Sequence, residues 1–272
     1  MNDFDLERPE HAYMFGFIQA DGHLSRGPGR KGRLTVELSA RDAPLLEEFQ
    51  RICPHNSTIS YRTRSTNFAA EHTSVVWSVC ALEFRERLQA LGLPSGRKSL
   101  SVAAPTGSHS ERDYIRGIVD ADGSVGRTAQ DLPFISLTTA SEAMARYFCA
   151  YAERLTDMPR TVRRNRRDDI HNVLFTREEA VLLIRELYYP GCLALPRKQA
   201  AAGQVAAWVR PVGMKKVRKR SWTAEETELL LATPDPAAAA ALLNRTVSSC
   251  EMRRWRVLGP QQARVRSPHT LA

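Results

Sequence analysis

Two aspartates end nearly identical segments of this chain, in an arrangement suited to binding a metal ion. Asp21 lies in YMFGFIQADG (13–22), and Asp122 lies in YIRGIVDADG (114–123). Each segment reads as a helix that ends at an Asp-Gly pair, so each carboxylate is expected at a helix C-terminus, where the helix dipole disfavours an anion by roughly 0.3–1 kcal/mol. Two carboxylates held in this way attract a divalent cation, and oxygen ligands suit Mg²⁺. Beside a phosphate, such a cation activates water and stabilises the leaving oxygen.

An Asp-Gly pair is also an ordinary turn signal, and for a single copy a plain turn is the better interpretation. Two copies at matching positions of a repeat favour a site instead. The helices carry small residues four apart, which therefore share one face: Gly16 with Ala20, and Gly117 with Ala121. Small residues let two helix backbones approach closely. We therefore predict that the two helices pack face to face about a pseudo-twofold axis, which brings the two aspartates side by side.

The sequence also predicts the conformation and the ligands at the ends of the two helices. Gly22 and Gly123 fit the left-handed conformation that commonly ends a helix. The carbonyl oxygens of Ala20 and Ala121 have no partner within their own helices, because they lie in the last turn. We expect these two carbonyls to add oxygen ligands for the metal beside the two carboxylates.

The rest of the sequence repeats in the same order, since Arg97-Lys98 recurs as Arg197-Lys198. Alternating and helical hydrophobic patterns predict the order αββαββα in each half. In the first half, after the motif helix, the predicted strands are 23–27, 33–40, 58–64 and 73–80, and the predicted helices are 43–53 and 81–92. In the second half, the strands are 124–128, 133–140, 160–167 and 171–176, and the helices are 141–155 and 177–189. The predicted fold class is α+β with internal pseudo-twofold symmetry.

Composition restricts the class of partner. The chain has 39 Lys and Arg against 30 Asp and Glu, a formal charge of +9. This excess favours a polyanion such as double-stranded DNA, because each neutralised phosphate releases counterions, although solubility alone is the simpler alternative. No apolar run reaches the ~18–20 residues of a membrane span, and the acidic start MNDFDLERPE does not resemble a signal peptide. Five cysteines without a CxxC pair argue against a disulfide framework or structural zinc and favour a reduced, intracellular compartment.

The segments MFGFIQADG (14–22) and IRGIVDADG (115–123) resemble the motif of the LAGLIDADG homing endonuclease family, and the resemblance extends over roughly residues 10–208. It implies a monomeric, single-chain pseudo-dimer in which each half forms a saddle-shaped antiparallel sheet that lies in the major groove of DNA. It also implies metal-dependent cleavage of both strands across the minor groove. The last acid of each motif binds Mg²⁺ in that family, which corresponds to Asp21 and Asp122, and Mn²⁺ is expected to substitute.

The same resemblance implies further site residues. A lysine from each half commonly assists the charged transition state, and Lys98 and Lys198 match its place. Arginines of the predicted strands are expected to contact phosphates or base edges, although a strand with alternating arginines is equally compatible with a solvated face. These arginines are Arg33, Arg62, Arg64, Arg163, Arg164, Arg166 and Arg167.

Two positions depart from the family pattern. The first motif has Gln19 where the pattern has an acid, whereas the second motif keeps Asp120. Ala40 and Ala140 lie near the positions where many members carry a polar residue that orders water. The two half-sites are therefore expected to differ in their surroundings.

The C-terminal part has a different composition. KKVRKR (215–220) holds five positive charges in six residues and belongs to a predicted flexible, phosphate-binding linker over 209–220. Residues 221–260 predict three short helices with a basic third one, and they resemble a Myb/SANT-like helix-turn-helix domain. A three-helix protein-interaction module is the alternative. The expected DNA contacts in this part are Lys215, Lys216, Arg218, Lys219, Arg220, Arg253, Arg254 and Arg256.

The predicted core of this C-terminal domain consists of Trp222, Leu230, Leu243 and Trp255. Within the chain, the predicted domains are a first LAGLIDADG half over 1–104, a second half over 105–208, the basic linker over 209–220, the helix-turn-helix domain over 221–260 and a disordered tail over 261–272.

These features together predict a site-specific homing endonuclease that makes metal-dependent double-strand breaks in DNA. A transcriptional regulator on a retired endonuclease scaffold is one alternative, but it is expected to lose the metal-binding acids that are present here. An RNA maturase that assists intron splicing with the same fold is another. An intein and an HNH or zinc nuclease fit poorly, because splicing blocks and histidines at metal-ligand spacing are missing from the sequence. The expected location is intracellular, on the nucleoid when the protein is bound to DNA.

Overall fold

The computed structural model describes residues 4–25, 31–66, 69–165, 167–214 and 222–262 of the chain. The chain divides into two compact units, Met1–Pro211 and Val212–Ala272. The predicted basic run over 215–220 and the predicted tail from residue 263 onward lie outside the described residues. Among the described residues, no helix is long and apolar enough to span a membrane.

The first half of unit one has the predicted order of elements. In chain order they are α1 (Pro9–Asp21), β1 (His23–Leu24), β2 (Leu34–Ser39), α2 (Ala43–Ile52), β3 (Ser57–Thr66), β4 (Ala69–Val79) and α3 (Leu82–Ala90), with a 3-10 turn over Ala40–Asp42 before α2. The four strands form one antiparallel sheet in the order β1-β2-β4-β3. Alternation explains which face is buried, since Leu34 and Val36 of β2 lie in the core and Glu37 is exposed.

The second half repeats this arrangement. Its elements are α4 (Glu111–Asp122), β5 (Gly123–Arg127), β6 (Pro133–Thr139), α5 (Glu142–Thr156), β7 (Arg164–Asn165), β8 (Ile170–Thr176), α6 (Glu178–Leu187) and α7 (Pro196–Ala206). The antiparallel sheet order β5-β6-β8-β7 matches the order in the first half, strand for strand. The α+β class and the tandem αββαββα order predicted from the sequence are therefore confirmed.

Two elements of the second half differ from the prediction. The strand predicted over 160–167 is reduced to β7 among the described residues. Before it, Arg160 pairs with Glu179 of α6 and lies over the Phe175 ring. Helix α7 was not predicted, although it begins with Pro196 at its first turn and continues through an alanine-rich run. It changes the context of Lys198, which lies in the first turn of a helix and not in a loop.

Helix α1 is buried along its length and shows no amphipathic pattern. All residues from His11 to Gln19 are buried. Phe17 packs edge-on against Phe49 of α2, and Phe49 packs in the same way against Trp77 of β4. A helix that is apolar on all sides belongs in the interior, so α1 is covered by the sheet and α2 on one side and meets α4 on another.

The described part of unit two, up to residue 262, contains three helices, α8 (Ala224–Ala232), α9 (Pro236–Leu243) and α10 (Val247–Gln262). Thr223 and Glu226 form a capping box at the start of α8, and Asp235 caps α9 by accepting from two backbone N–H groups. Asn244 adopts a left-handed conformation at the end of α9, and Gly259, with φ of 79°, interrupts α10.

The core of unit two differs from the prediction at one position. Leu230, Ala239, Ala240, Leu243 and Cys250 form the core, with Trp222 packed against it. Trp255 was wrongly predicted to belong to this core, and it is 49% exposed. It lies five residues after the buried cysteine of α10, about 140° around the helix at 3.6 residues per turn, and therefore points away from the core.

Candidate active site at the paired helices

Helices α1 and α4 touch backbone to backbone through two reciprocal glycines. A Cβ atom at Gly16 would lie 2.2 Å from the carbonyl oxygen of Tyr114, and a Cβ atom at Gly117 would lie 2.1 Å from the carbonyl oxygen of Tyr13. Each glycine therefore meets the main chain of the partner helix at the equivalent position. This contact brings the ends of α1 and α4 together, and with them Asp21 and Asp122.

Gly117→Ala tests this contact. We expect it to lower the free energy of unfolding by about 3 kcal/mol, the upper end of overpacking effects, because the neighbouring atom is main chain and has little freedom to move. Gly203→Ala is the matched control, since Gly203 lies inside α7 and nothing lies within 4 Å of a Cβ atom there. Urea denaturation of both variants measures the difference. Equal stability of the two variants would contradict the backbone contact.

The two glycines that follow the aspartates were predicted to be left-handed caps, and that prediction is wrong. Gly22 has φ of −71° and Gly123 has φ of −105°, so both are extended. The need for glycine has another cause. A Cβ atom at Gly22 would lie 2.6 Å from the oxygen of Ile18. One at Gly123 would lie 2.5 Å from the oxygen of Ser136 on β6 and 2.7 Å from the oxygen of Val119. Glycine is required because main-chain oxygens occupy the place of a Cβ atom at both positions.

Asp21 and Asp122 are the last residues of α1 and α4, and both are exposed to solvent. Partial desolvation raises the pKa of Asp122 to about 6, and repulsion from Asp21 adds to this rise, while Lys98 and Lys198 oppose it. Desolvation also raises the pKa of Asp21, against the two lysines and Arg197. The two carboxylates therefore interact, and a bound cation would relieve both the repulsion and the desolvation.

Lys98 caps the end of α1. Its ammonium donates to the carbonyl oxygens of Ile18 at 2.8 Å, Gln19 at 2.6 Å and Ala20 at 2.8 Å. The side chain is buried, and burial lowers the pKa of Lys98 to about 8, so the ammonium is still the main form at pH 7. A positive charge at this end of the helix compensates the dipole and satisfies carbonyls that have no partner within the helix.

Lys198 does the same for α4. Its ammonium donates to the carbonyl oxygens of Val119 at 2.8 Å, Asp120 at 2.6 Å and Gly123 at 2.8 Å. Burial lowers the pKa of Lys198 to about 8 as well. The two caps differ in one partner, because Lys98 binds the carbonyl of Ala20, whereas Lys198 binds that of Gly123 and not that of Ala121. The structure thus places both predicted lysines beside the aspartates.

A cavity of about 200 Å³ lies at this site and is lined by both halves. The first half contributes Gln19, Ala20 and Lys98, and the second contributes Asp122 and Ala140 among others. Asp122 of the second motif and Ala20 of the first motif therefore line the same cavity. The lining also includes the apolar side chains of Val102, Ile118 and Met144, and Asp122 is the acid that faces this cavity. Its carboxylate oxygens suit a hard cation such as Mg²⁺ with several retained waters. Within the described part of the chain, no group of three or more His, Cys, Asp or Glu residues forms a metal cluster, so a cation here would depend on Asp122, backbone oxygens and water, with Asp21 at the end of the neighbouring helix.

The sequence did not reveal why the two motifs differ at Gln19 and Asp120. The side-chain amide of Gln19 donates to the carbonyl oxygens of Gly92 at 3.1 Å and Ala103 at 3.2 Å, and its oxygen accepts from the Tyr114 hydroxyl at 2.5 Å. A carboxylate here would face two carbonyl oxygens. Gln19 therefore binds its helix to the chain that follows α3.

Asp120 meets donors at the equivalent place. It accepts from the hydroxyls of Tyr13 at 2.7 Å and Tyr188 at 2.6 Å and from the backbone N–H of Leu195 at 2.7 Å. Tyr13 and Tyr114 reach across the helix pair in both directions, so the two hydrogen bonds follow the pseudo-twofold relation. Position 19 is therefore Gln because its partners include two carbonyl acceptors, and position 120 is Asp because its partners are donors.

Arg197 is a residue that the sequence paired with Arg97 but did not assign to the site. Its Nε lies 3.2 Å from Oδ2 of Asp42, which belongs to the first half and is buried. Its charge also opposes the rise that burial causes in the pKa of Asp21. The ion pair joins the two halves next to the carboxylate of the first motif.

The described arginines of unit one that were predicted to contact DNA are exposed, and three of them are paired with acids. Arg64 binds Glu37 at 2.9 Å, and Arg164 and Arg167 bind Asp169 at 2.6 Å and Asp168 at 2.9 Å. Arg33, Arg62 and Arg163 are exposed, and Arg166 lies outside the described residues.

The predicted contacts of unit two divide into two groups. Arg253 donates to the Thr227 hydroxyl, and Arg254 donates to carbonyl oxygens at the end of α8, including Leu230 at 2.7 Å, so both hold the helices together. Arg256 is exposed. The basic residues Lys215, Lys216, Arg218, Lys219 and Arg220 lie outside the described residues.

Comparison with known proteins bears on the unit that carries this site. Residues 110–188 match the model of the LAGLIDADG-like domain family, which is less than a third of the chain and contains the second motif. No curated protein is significantly similar in sequence. Among solved structures, the homing endonuclease I-WcaI bound to its DNA recognition sequence is 12% identical over 72% of this chain and 87% of that chain, with a TM-score of 0.50.

Two other structures are similar to a lesser degree. Mesophilic variants from the homing endonuclease I-DmoI are 14% identical over 72% of this chain and 97% of theirs, with a TM-score of 0.48. The N-terminal LAGLIDADG domain of DUF199/WhiA is 10% identical over 69% of this chain and 86% of that chain, with a TM-score of 0.45. The family match and the likeness to I-WcaI show that unit one has the LAGLIDADG fold.

Proposed function

We propose that this protein is a site-specific, divalent-metal-dependent endonuclease that hydrolyses one phosphodiester in each strand of a long DNA target. One observation carries the proposal: two carboxylates end two helices that touch backbone to backbone, and each helix end is capped by a buried lysine. A structural turn would not need mutually repelling acids at that place. The LAGLIDADG fold and the net charge of +9 support a DNA substrate.

Within this proposal, Asp21 and Asp122 would hold the cation, with the backbone carbonyl of Ala121 as a further ligand. The carbonyl of Ala20 already accepts from the Lys98 ammonium, so it would join them through its second lone pair. Mg²⁺, or Mn²⁺ in its place, would supply an activated water and stabilisation of the leaving oxygen when bound. The chain itself fixes the backbone that carries these groups. Lys98 holds the last turn of α1, and Lys198 holds that of α4, so each helix end is in place before DNA binds.

The two halves supply equivalent groups to the two DNA strands. Each half contributes one motif acid, one lysine and one antiparallel sheet. Because both halves belong to one chain, a monomer suffices for a double-strand break, and the protein is expected to act as a monomer. An intracellular location, on the nucleoid when DNA is bound, follows from that substrate.

The proposed activity is tested with a randomised duplex library and the full-length protein in Mg²⁺. The control is the Asp21→Asn/Asp122→Asn double variant. We expect cuts in both strands at one long site with the native chain and none with the variant. Selective binding without cleavage would favour the regulator on a retired endonuclease scaffold. Binding of structured RNA in preference to any duplex would favour the maturase.

We further propose that unit two is a Myb/SANT-like helix-turn-helix domain that extends the DNA footprint. Helices α9 and α10 are joined by the short turn at Asn244 to Thr246, and Thr246 caps α10 through the backbone N–H of Ser249 at 3.1 Å. Exposed Arg256 and the basic run before the domain would contact phosphate, whereas Arg253 and Arg254 would act through the fold of the domain.

The basic run gives a separate prediction. Replacing its five charges, Lys215, Lys216, Arg218, Lys219 and Arg220, with glutamine is expected to weaken duplex binding by a similar factor for every sequence. Each lost phosphate contact lowers the slope of log Kd against log salt by about 0.9. Titration at several salt concentrations measures that slope. Arg146→Gln, which alters an exposed arginine paired with Glu142 on α5, is the control. An unchanged slope in the five-residue variant would contradict the role of this run.

A further inference from the structure

Asp42 is a buried acid at the start of α2 that leaves its own helix uncapped. It occupies the position just before the helix, where an aspartate commonly accepts from backbone N–H groups of the first turn, but its side chain makes no such bond. The side chain is only 6% exposed, and its Oδ2 accepts from Nε of Arg197 at 3.2 Å. A buried carboxylate is costly unless it is paired. This acid therefore serves a contact with the second half of unit one and not its own helix.

The equivalent position of the second half makes a different contact. Ser141 precedes α5 as Asp42 precedes α2, and it caps its helix by accepting from the backbone N–H of Met144 at 3.2 Å. Its hydroxyl donates to the carbonyl oxygen of Val102, four residues after Lys98, at 2.5 Å. Each of the two positions therefore reaches the segment that carries the lysine of the opposite half. One contact fixes main chain, whereas the other fixes a charged side chain.

The ion pair leaves most of the Arg197 guanidinium available to a ligand. A guanidinium carries five N–H donors in a rigid plane, and only the one on Nε is used on Asp42. Within the described part of the chain, the two terminal nitrogens have no other acceptor, and the side chain is 46% exposed. Two N–H groups side by side suit a phosphate, which they bind bidentately. The protein thus holds one edge of this group and leaves the other free for an anion.

Arg97 has the corresponding place in the first half but lacks this support. It is exposed, it lies in irregular chain before Lys98, and no acid of the described residues pairs with it. Arg197, in contrast, lies in the first turn of α7. A free arginine side chain loses much rotamer entropy when it binds a ligand in one geometry, and a side chain that an ion pair already fixes loses less. The two arginines of the repeat are therefore unequal.

The fixed arginine lies by the carboxylate of the first motif. Burial raises the pKa of Asp21, and the charge of Arg197 is one of three that oppose this rise. At Asp122, the charges that oppose the corresponding rise are the two capping lysines. The proposed reaction brings a phosphate to the ends of α1 and α4, where additional negative charge develops during hydrolysis. A guanidinium held in place before the reaction stabilises such a charge without reorganising.

We infer that Asp42 is a positioning residue of the proposed endonuclease: it holds Arg197 beside Asp21, so that one of the two strands meets a fixed guanidinium and is cut faster than the other. This inference rests on the proposed function. It leaves the helix ends themselves unchanged, because Asp42 lies between β2 and α2. Loss of Asp42 should therefore slow the cleavage of one strand and not of both.

Cleavage of a duplex that carries a different label on each strand tests the inference, with the site first obtained from the randomised library. For the full-length native chain in Mg²⁺, we expect nicked duplex to appear before the double-strand break. Asp42→Asn should slow the faster strand by about tenfold and the other by less than about twofold, since a guanidinium that is no longer fixed stabilises the transition state less. Arg197→Lys keeps the charge but has a single nitrogen, so it should reduce the strand bias as well. Asp131→Asn is the matched control, because Asp131 is also paired with an arginine, Arg127, but lies in the turn after β5.

Unfolding in EDTA tests the ion pair without metal, DNA or cleavage. Arg197→Gln leaves the buried carboxylate of Asp42 without its partner, so it should lower the melting temperature. The double variant Asp42→Asn/Arg197→Gln also removes that carboxylate, so it should melt at a higher temperature than Arg197→Gln alone. Effects on the melting temperature that simply add would show that the two side chains do not interact, and would overturn the inference.

Three cleavage results would also overturn it. The first is equal rates for the two strands in the native chain, and the second is unchanged strand rates in Asp42→Asn and Arg197→Lys. The third is an equal loss on both strands in these variants at the native melting temperature. Each of them leaves the endonuclease proposal intact, because both strands are still cut. The absence of cleavage by the native chain would instead contradict the proposed function, and with it the role of Arg197 in the reaction.

Discussion

Asp21→Asn and Asp122→Asn are each expected to reduce double-strand cleavage by on the order of 1,000-fold or more, while duplex binding remains close to native. Each change removes the carboxylate that ends a motif helix but keeps its size and its polar amide. Because the two acids lie at the ends of paired helices, loss of one leaves a single carboxylate where the proposed cation requires two. Single-turnover cleavage in Mg²⁺ and gel-shift titration of the same duplex measure the two quantities.

Asp131→Asn is the matched control for these variants. Asp131 is exposed in the turn after β5, with a left-handed φ of 57°, a conformation that asparagine adopts readily. Its substitution should leave cleavage and binding unchanged. Native cleavage by either motif variant would contradict the site, and equal loss of binding and cleavage would point to a folding defect.

For Asp122→Asn we also expect an increase in stability, in contrast to its loss of cleavage. In EDTA at pH 7, Asp122→Asn is expected to unfold at a higher temperature than the native protein. The folded protein raises the pKa of Asp122 from its ordinary value of 3.8 to about 6, so the charged form is disfavoured by folding. After a discount for the solvent exposure of this side chain, the effect is on the order of 1 kcal/mol, or about 2–4 °C.

The stability difference between Asp122→Asn and the native protein should depend on pH in a defined direction. Between pH 3.8 and about 6 the folded state binds more protons at Asp122 than the unfolded chain does, so this residue makes the native protein more stable as the pH falls. The advantage of Asp122→Asn should therefore be largest above pH 6 and should vanish near pH 4. An advantage that persists at pH 4 would show that the variant acts by some other route than charge.

The repeat in the sequence was sufficient to predict the fold of unit one, because the physics of each element is local. Alternation placed β2 and β6. The four-residue spacing of Gly16 with Ala20, and of Gly117 with Ala121, indicated the face through which the two helices pack. The local pattern could not explain residues whose role depends on contacts made in the folded protein. Gly22 was assigned to a left-handed cap, whereas its need for glycine arises from the carbonyl of Ile18.

Long-range partners explain the other differences. The exchange of Gln19 for Asp120 is understood only when the carbonyls of Gly92 and Ala103 are set against the hydroxyl of Tyr188 and the N–H of Leu195. These partners lie dozens of residues away in the chain, so no motif rule contains them. In the same way, pairing with Glu37 converts Arg64 from a free phosphate-binding candidate into half of an ion pair.

Lys98→Met is expected to destabilise the protein by about 3 kcal/mol, the upper end of the cost of leaving buried acceptors without a donor. Methionine has a similar length but donates no hydrogen bond. The carbonyls of Ile18, Gln19 and Ala20 would then be left at a helix end without the donor that satisfies them. Lys198→Met should have a similar effect on α4, because its ammonium also donates to three backbone carbonyls at the end of that helix.

The stability of the lysine variants, measured without metal or DNA, distinguishes two roles for these lysines. A lysine that only assists the transition state would affect cleavage and leave unfolding unchanged, whereas a lysine that caps a helix affects both. We expect Lys98→Met to lose stability in EDTA and to lose cleavage with it, since the end of α1 carries Asp21. Lys98→Arg keeps the charge and its donors, so it should recover part of the stability.

Native stability in Lys98→Met, together with lost cleavage, would contradict the capping role and favour direct action of the ammonium on the phosphate. Since every proton of this ammonium is already directed to a carbonyl, direct action would require at least one of those bonds to break when DNA binds.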